Sequence, residues 1–277
     1  MPLVGLAAEV AAGTLTQKDA AALLNPVAAA PAAPASIPHV FHFIWLGDKP
    51  LPTPTRAFMA GWKRKHPRWK LRLWTDADLP GFPFSSPAMA ALYRSNANVG
   101  WRSDLLRYEI LYRFGGVYAD VDMECVHPIG GIIAPFAAFV PLVVMRPGWE
   151  AETNNGLLGA TPGHPFYRYL LARLPDWATN TRAARTGNVI WQTGPHALRQ
   201  MLRDWRGQEA EGITHDVTLF PPHIFMPHTW DHRNETANRF PAALTRHHWW
   251  GTWTDEKTGY SPYSPYAFSG SGTGSGI

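Results

Sequence analysis

Apolar and polar positions along the chain follow two periods. Val40 to Trp45 (VFHFIW) is a short, nearly continuous apolar run, the pattern of a strand buried on both faces. Pro54 to Lys65 reads as a helix with proline near its start. Trp69 to Trp74 alternates Leu71 and Leu73 with Lys70 and Arg72, a second strand. These three elements make a βαβ unit, hence a right-handed parallel crossover. Ala88 to Asn96 predicts a short helix. From Asn98 to Pro128 the period changes within one stretch. Leu106, Ile110 and Phe114 repeat at helical spacing, with Leu105 and Leu111 widening the stripe. Ser103 stands as N-cap, and Asp104 falls in the first turn, where the helix dipole favours a carboxylate. Gly115 and Gly116 stop the helix, and Val117 to Val121 has strand composition.

The remaining pattern is weaker. Phe136 to Met145 is a hydrophobic run of strand type, Asn154-Asn155-Gly156 a turn signal, and His164 to Leu174 a helix. Thr193-Gly194-Pro195 precedes another helix, Val217 to Pro222 reads as a late strand, and His223 and His228 read as loop histidines. Alternating strands and helices predict an α/β fold with a mostly parallel central sheet flanked by helices. Leu3 to Leu24 is compatible with a helix, Asn25 to Ser36 is a Pro/Ala-rich linker, and the residues after Tyr260 read as a flexible tail. The expected organisation is therefore 1–36 as an appendage, 37–260 as a single domain and 261–277 as a tail.

Composition narrows the classes. A chain of 277 residues can bury a full core as one domain. The net charge of +4 suits an anionic small molecule or an anionic membrane face, with peripheral membrane association open and nucleic acid not expected. No apolar run approaches ~18 residues, so no membrane span is expected. The single cysteine, Cys125, forms no internal disulfide, reads as a small buried residue, and fits a reducing, cytoplasmic setting. Thirteen tryptophans suit carbohydrate, whose C–H faces lie well on flat rings, but also an aromatic core.

The candidate chemistry sits at the end of the central stretch. In an extended chain, residues two apart point to one side, so Asp120 and Asp122 can face one site at a strand's end. Two carboxylates this close repel unless a cation lies between them, and oxygen ligands favour Mg²⁺ or Mn²⁺. Asp104 and Arg107, three apart on the preceding helix, share a face; an exposed ion pair of little energy is the plainer reading.

The run SDLLRYEILYRFGGVYADVD resembles the sugar-nucleotide-binding core of the DXD-containing glycosyltransferases, as do the opening HFIWLGDKPLP with LWTDADL and the closing RHHWWGTWTDEK. These include yeast initiating α-mannosyltransferases, bacterial capsule glycosyltransferases and the catalytic domain of large clostridial glucosylating toxins. The resemblance spans roughly residues 37 to 255 and implies a single GT-A type, Rossmann-like domain. It implies a UDP- or GDP-sugar donor, a glycan or other hydroxyl acceptor, and retention of anomeric configuration. By resemblance, Trp45 stacks on the base, Asp122 ligates the metal, and Asp120 bridges to ribose or sugar or joins the metal. Arg107 donates to phosphate or sugar, and Asp104 orients Arg107 or accepts from a hydroxyl. His247 or His248 adds a metal ligand, Trp253 lies over the diphosphate, and Asn155 borders the sugar; a plain turn residue remains the other reading of Asn155. The TGP string recurs in that family and suits either an anion at a helix start or an ordinary cap. A toxin-like protein O-glycosyltransferase, a metal-dependent phosphohydrolase and a non-catalytic carbohydrate-binding protein are the competing readings.

Overall fold

The computed structural model describes residues 36–144, 151–207, 216–228 and 240–251. The expected N-terminal helix and linker, the C-terminal tail, Met145, Thr252 and Trp253 lie outside the described residues.

In chain order the elements are β1 (Val40–Ile44), α1 (Thr53–Lys65), β2 (Lys70–Trp74), α2 (Pro87–Arg94), α3 (Val99–Phe114), β3 (Gly116–Ala119) and β4 (Met123–Cys125). There follow α4 (Gly130–Ile133), β5 (Ala138–Val143), β6 (Glu152–Thr153), β7 (Leu157–Ala160) and α5 (Pro165–Asn180). The last are α6 (Val189–Gln192), α7 (Pro195–Arg206), β8 (Val217–Phe220), α8 (Pro222–Phe225) and β9 (Thr245–His247). His223 thus sits in a short helix rather than a loop.

The main sheet has seven strands in the order β2-β1-β3-β7-β5-β6, with β8 also on β5. β1 pairs in parallel with β2 and β3, and β5 with β8, whereas β7 runs antiparallel to both β3 and β5, and β6 antiparallel to β5. Five strands therefore share one direction, as the βαβ opening predicts. The four residues of β7 carry little sequence signal. Gly159 is glycine there because a Cβ would sit 2.1 Å from the Phe139 ring on the neighbouring strand.

Alternate strand residues enter two cores, one on each face. Phe41, Phe43, Val117 and Ala119 join α1, α4 and α8, while Ile44, Tyr118, Leu158 and Ala160 join α2, α3, α5 and α7. This double burial accounts for the continuous apolar run of β1. Cys125 is buried in the first of these cores, and burial pushes its thiol up to about 12.

Helix α3 departs from expectation at both ends. Its N-cap is Asn98, whose Oδ1 accepts from the amides of Gly100 and Trp101 at 2.8 and 3.1 Å. Ser103 lies inside the helix, and Asp104 is past the first turn, so the dipole does not explain that carboxylate. At the other end Phe114 is 37% exposed and its ring lies tilted against Trp74, with centroids 5.5 Å apart, instead of entering the core. The Gly115-Gly116 break holds: both residues have positive φ, and a Cβ on Gly116 would lie 2.6 Å from Val40.

Candidate active site

Strand β3 ends at Ala119, two residues earlier than its composition predicts. The Asp120 amide donates to the Gly156 carbonyl at 2.8 Å, and the Met123 amide to the Asp120 carbonyl at 2.9 Å. Asp120 and Asp122 are therefore positions one and three of a tight turn, and the turn rather than the strand's period brings them together. Behind them, β4 pairs with β9, with Met123 opposite His247. His247 Nε2 lies 3.2 Å from Asp122 Oδ1 and 3.6 Å from Asp120 Oδ2. Ligand atoms of the three residues all fall within 4.8 Å of one another. The Trp250 amide donates to Asp122 Oδ2 at 2.9 Å. Trp249, beside it, holds φ +56°, a strained value for a bulky residue, with its ring 4.0 Å from that of His247.

His248 is not part of this cluster. Its Nε2 lies 3.1 Å from Glu124 Oε2, and its ring stacks on Phe58 at 4.7 Å. Successive side chains of a strand diverge, so one histidine of the pair can join the aspartates and the next cannot.

A second group adjoins the first. Arg107 is buried, not surface-exposed, and its guanidinium is shared four ways, with Nε donating to the Ser103 carbonyl at 3.2 Å. Nη1 donates to the Asn155 carbonyl at 2.7 Å and to Asp120 Oδ1 at 3.2 Å, and Nη2 lies 3.2 Å from Asp104 Oδ1. The guanidinium carbon sits 4.5 Å over the ring of Tyr118, whose hydroxyl donates to Asp120 Oδ1 at 2.6 Å. Asn155 Nδ2 donates to Asp104 Oδ1 at 2.8 Å and to the Tyr108 hydroxyl at 3.2 Å. The Thr193 hydroxyl donates to Asp104 Oδ2 at 3.0 Å. Gly156 has no room for a side chain, because a Cβ would stand 2.7 Å from Asp120 Oδ2.

Burial dominates the electrostatics. It pushes Asp104 up to about 6 against the pull of Arg107. It also lifts Asp120 above the usual carboxylate range, with Arg107 opposing and the Asp122 charge adding to the rise. Burial acts upward on Asp122 too, but the His247 charge and hydrogen bonds outweigh it and hold Asp122 low. Asp122 in turn overcomes burial at His247 and raises it. A protonated imidazole here supplies the positive charge that two adjacent carboxylates demand.

Both groups line a cavity of about 1080 Å³. Trp45, Lys49 and Asp76 border it too, as do Val189, Ile190 and Trp250. Trp45 is held by a bond from its Nε1 to the Lys49 carbonyl at 2.7 Å. The structure thus brings Trp45, Asp104, Arg107, Asp120, Asp122, Asn155 and His247 to one cavity. The sequence pattern assigns no site role to Tyr108 or Tyr118, and Thr193 enters it only through the Thr193-Gly194-Pro195 string, not as a partner of Asp104. For Tyr118 a signal existed: it lies two residues before Asp120 in a strand. Thr193 lies 89 residues from Asp104, and nothing local marks it as a partner of that carboxylate.

The donor set fits a divalent ion. Two carboxylates and an imidazole suit Mn²⁺ or Mg²⁺, and the other ring nitrogen, His247 Nδ1, is buried without a hydrogen-bond partner.

The family model for a glycosyltransferase sugar-binding region containing a DXD motif matches residues 54–138. Inositol phosphoceramide mannosyltransferase 3 of Schizosaccharomyces pombe is 27% identical over 192 residues, covering 69% of this chain and 52% of its own. Inositol phosphoceramide mannosyltransferase 1 of the same organism is 31% identical over 142 residues, covering 50% of this chain and 42% of its own. The chain spans about half the length of these curated relatives. Among solved structures, PaToxG glycosyltransferase superimposes with a TM-score of 0.50 at 18% identity, covering 75% of this chain and 80% of that one. The fold is of the GT-A type, and the resemblance to DXD-containing glycosyltransferases is borne out.

Proposed function

We propose that this chain, which carries the DXD-containing sugar-binding region of the glycosyltransferases, moves a hexose from a UDP- or GDP-sugar to a hydroxyl acceptor. The transfer uses a divalent ion and retains the anomeric configuration. The observation that carries this reading is the convergence of Asp120, Asp122 and His247 on a cavity that also holds Arg107 and Asn155.

Cleaving the anomeric C–O bond of a nucleotide sugar builds negative charge on the leaving diphosphate. Asp122 and His247 would hold the ion, with Asp120 beside them, and the Trp250 amide fixes the orientation of the Asp122 carboxylate. When bound, the ion neutralises charge on the departing diphosphate. Arg107 and Asp104 form the floor against which the sugar is positioned, and Trp45 borders the end suited to the base. The acceptor is a glycan or another hydroxyl compound. Two of the matched relatives are named as inositol phosphoceramide mannosyltransferases, so a mannose donor and that acceptor class come first among substrates to try.

The test is incubation of the purified protein with UDP- and GDP-sugars, with and without Mn²⁺. Metal-dependent release of nucleoside diphosphate supports the proposal. Release of phosphate or monophosphate instead points to a phosphohydrolase. Sugar binding that survives loss of the aspartates, with no release, points to a carbohydrate-binding protein.

A further inference from the structure

We infer that Thr193 is a positioning residue for the donor sugar, tying the polar floor of the cavity to the apolar wall that adjoins it. This rests on the donor reading above. The wall is the segment from Asn188 to Pro195, of which Val189, Ile190 and Pro195 line the cavity. The floor beside it is Asp104, Arg107 and Asn155. A hexose presents hydroxyls around its rim and C–H bonds on its faces. A polar floor and an aliphatic wall at fixed separation match those two surfaces, provided neither slides.

Thr193 is the joint between them. It is fully buried, and its hydroxyl donates to Asp104 Oδ2 at 3.0 Å. Its carbonyl accepts from the Tyr108 hydroxyl at 3.0 Å, and Tyr108 in turn accepts from Asn155. The same threonine therefore meets the floor through side chain and backbone alike. The wall is held close by the next residue: a Cβ on Gly194 would stand 2.9 Å from the Ile190 Cα and 3.3 Å from Asp104 Oδ2. At its far end Asn188 Oδ1 caps the Ile190 amide at 2.9 Å, and the Trp191 carbonyl accepts from Trp177 Nε1 at 3.0 Å. Of the three floor residues, Asp104 is the one Thr193 orients directly; the remaining Asp104 contacts come from Arg107 and Asn155, which lie on the floor itself.

The isosteric change Thr193→Val removes the hydroxyl and keeps the shape, whereas Thr193→Ser keeps the hydroxyl and removes a methyl. Calorimetric titration in Mn²⁺ compares UDP with UDP-glucose and GDP with GDP-mannose, on wild type and both variants. Loss of a hydrogen bond to a buried carboxylate predicts that Thr193→Val weakens the nucleotide sugar about tenfold while the bare diphosphate changes less than about twofold. Thr193→Ser is expected to keep the wild-type ratio. Equal weakening of sugar and diphosphate, or equal loss in both variants, would overturn the inference, since a purely structural threonine predicts that. If Thr193→Val does not fold, Val189→Ala trims the wall at a half-buried position. It should weaken the nucleotide sugar and spare the diphosphate, and an unchanged ratio counts against the wall. Failure of the wild type to bind any of the four nucleotides sinks the donor reading instead, and is recognised before any variant is made.

Discussion

The two halves of the cavity differ in how completely they satisfy themselves. On the floor, every donor of note has an acceptor: Arg107 is shared among Asp104, Asp120 and the Asn155 carbonyl, and Asp104 is further held by Asn155 and Thr193. On the turn side, Asp122, Asp120 and His247 leave a buried imidazole nitrogen unpartnered and two carboxylates leaning on one ring for charge. A preorganised half needs no ligand to hold its geometry. An unfinished half is where an ion gains the most by arriving. The difference predicts that damage to the floor is read mainly in stability, and damage to the turn mainly in turnover.

The largest effect should come from Arg107→Ala. Removing the cation strands the buried Asp104 carboxylate and the half-buried Asp120, and breaking a buried ion pair from one side costs about 3–5 kcal/mol. Urea unfolding measures this directly. A loss under about 1 kcal/mol would mean that water reaches the floor and that the contrast between the halves is false.

Next in size is Asp122→Ala. Loss of one charged group that stabilises a transition state typically lowers turnover about 10²–10³-fold. Stability should fall less than in Arg107→Ala, by about 1–2 kcal/mol: the Trp250 amide loses its partner, and His247 can shed its proton once the Asp122 charge that raises it is gone. Mn²⁺ should also stop raising the melting temperature. A variant that unfolds as badly as Arg107→Ala would place Asp122 in the scaffold rather than in the chemistry.

The floor's foundations give a pH-dependent test. His42 fixes the end of α3 to β1: its Nε2 lies 3.0 Å from the Gly115 carbonyl, and Trp74 Nε1 donates to its Nδ1 at 3.1 Å. Burial pushes His42 down to about 4 from 6.5, so the folded protein keeps it neutral where the unfolded chain takes up a proton. Stability contributed by the neutral ring is present above 6.5 and is lost as pH falls from 6.5 toward 4, by about 3 kcal/mol in all. Denaturation at pH 7, 5 and 4 should show that decline in wild type and a flatter one in His42→Gln. Identical slopes would assign the decline to other groups.

Much of the scaffold was legible because its signals are local. The βαβ opening, the Gly115-Gly116 break and the apolar stripe of α3 each lie within a few residues, and each is where its pattern puts it except Phe114, which ends the stripe outside the core. The cap of α3 was misplaced because Asn98 is followed by Val99, Gly100 and Trp101, poor helix formers that burial on both sides nonetheless recruits. Asp120 and Asp122 do converge, but through a turn closed by the Met123 amide on the Asp120 carbonyl, and the Gly156 carbonyl that takes the Asp120 amide is remote in sequence. The floor was half legible. Asp104 and Arg107 could be placed on one helical face, but their burial depends on Asn155 and Thr193, supplied by loops far along the chain. Long-range partners leave no periodic trace.

The smallest effect discriminates most sharply between neighbours. His247 and His248 are equal candidates in sequence, and the structure separates them: His247 meets the aspartates, and His248 meets Glu124 at a half-exposed edge. His248→Ala removes a partly solvated pair, which is worth about 0–1 kcal/mol, and should leave Mn²⁺ binding within about twofold of wild type. His247→Ala should abolish the Mn²⁺-induced rise in melting temperature, and without Mn²⁺ it should also lower stability, because Asp122 and Asp120 lose the ring nitrogen that lies 3.2 and 3.6 Å from them. The pair is informative because both variants delete the same ring from adjacent positions, so a general effect of losing an aromatic group cancels. If His248→Ala were the one to lose metal binding, the closing strand would have to be shifted by one residue, which would turn every side chain of β9 to the other face.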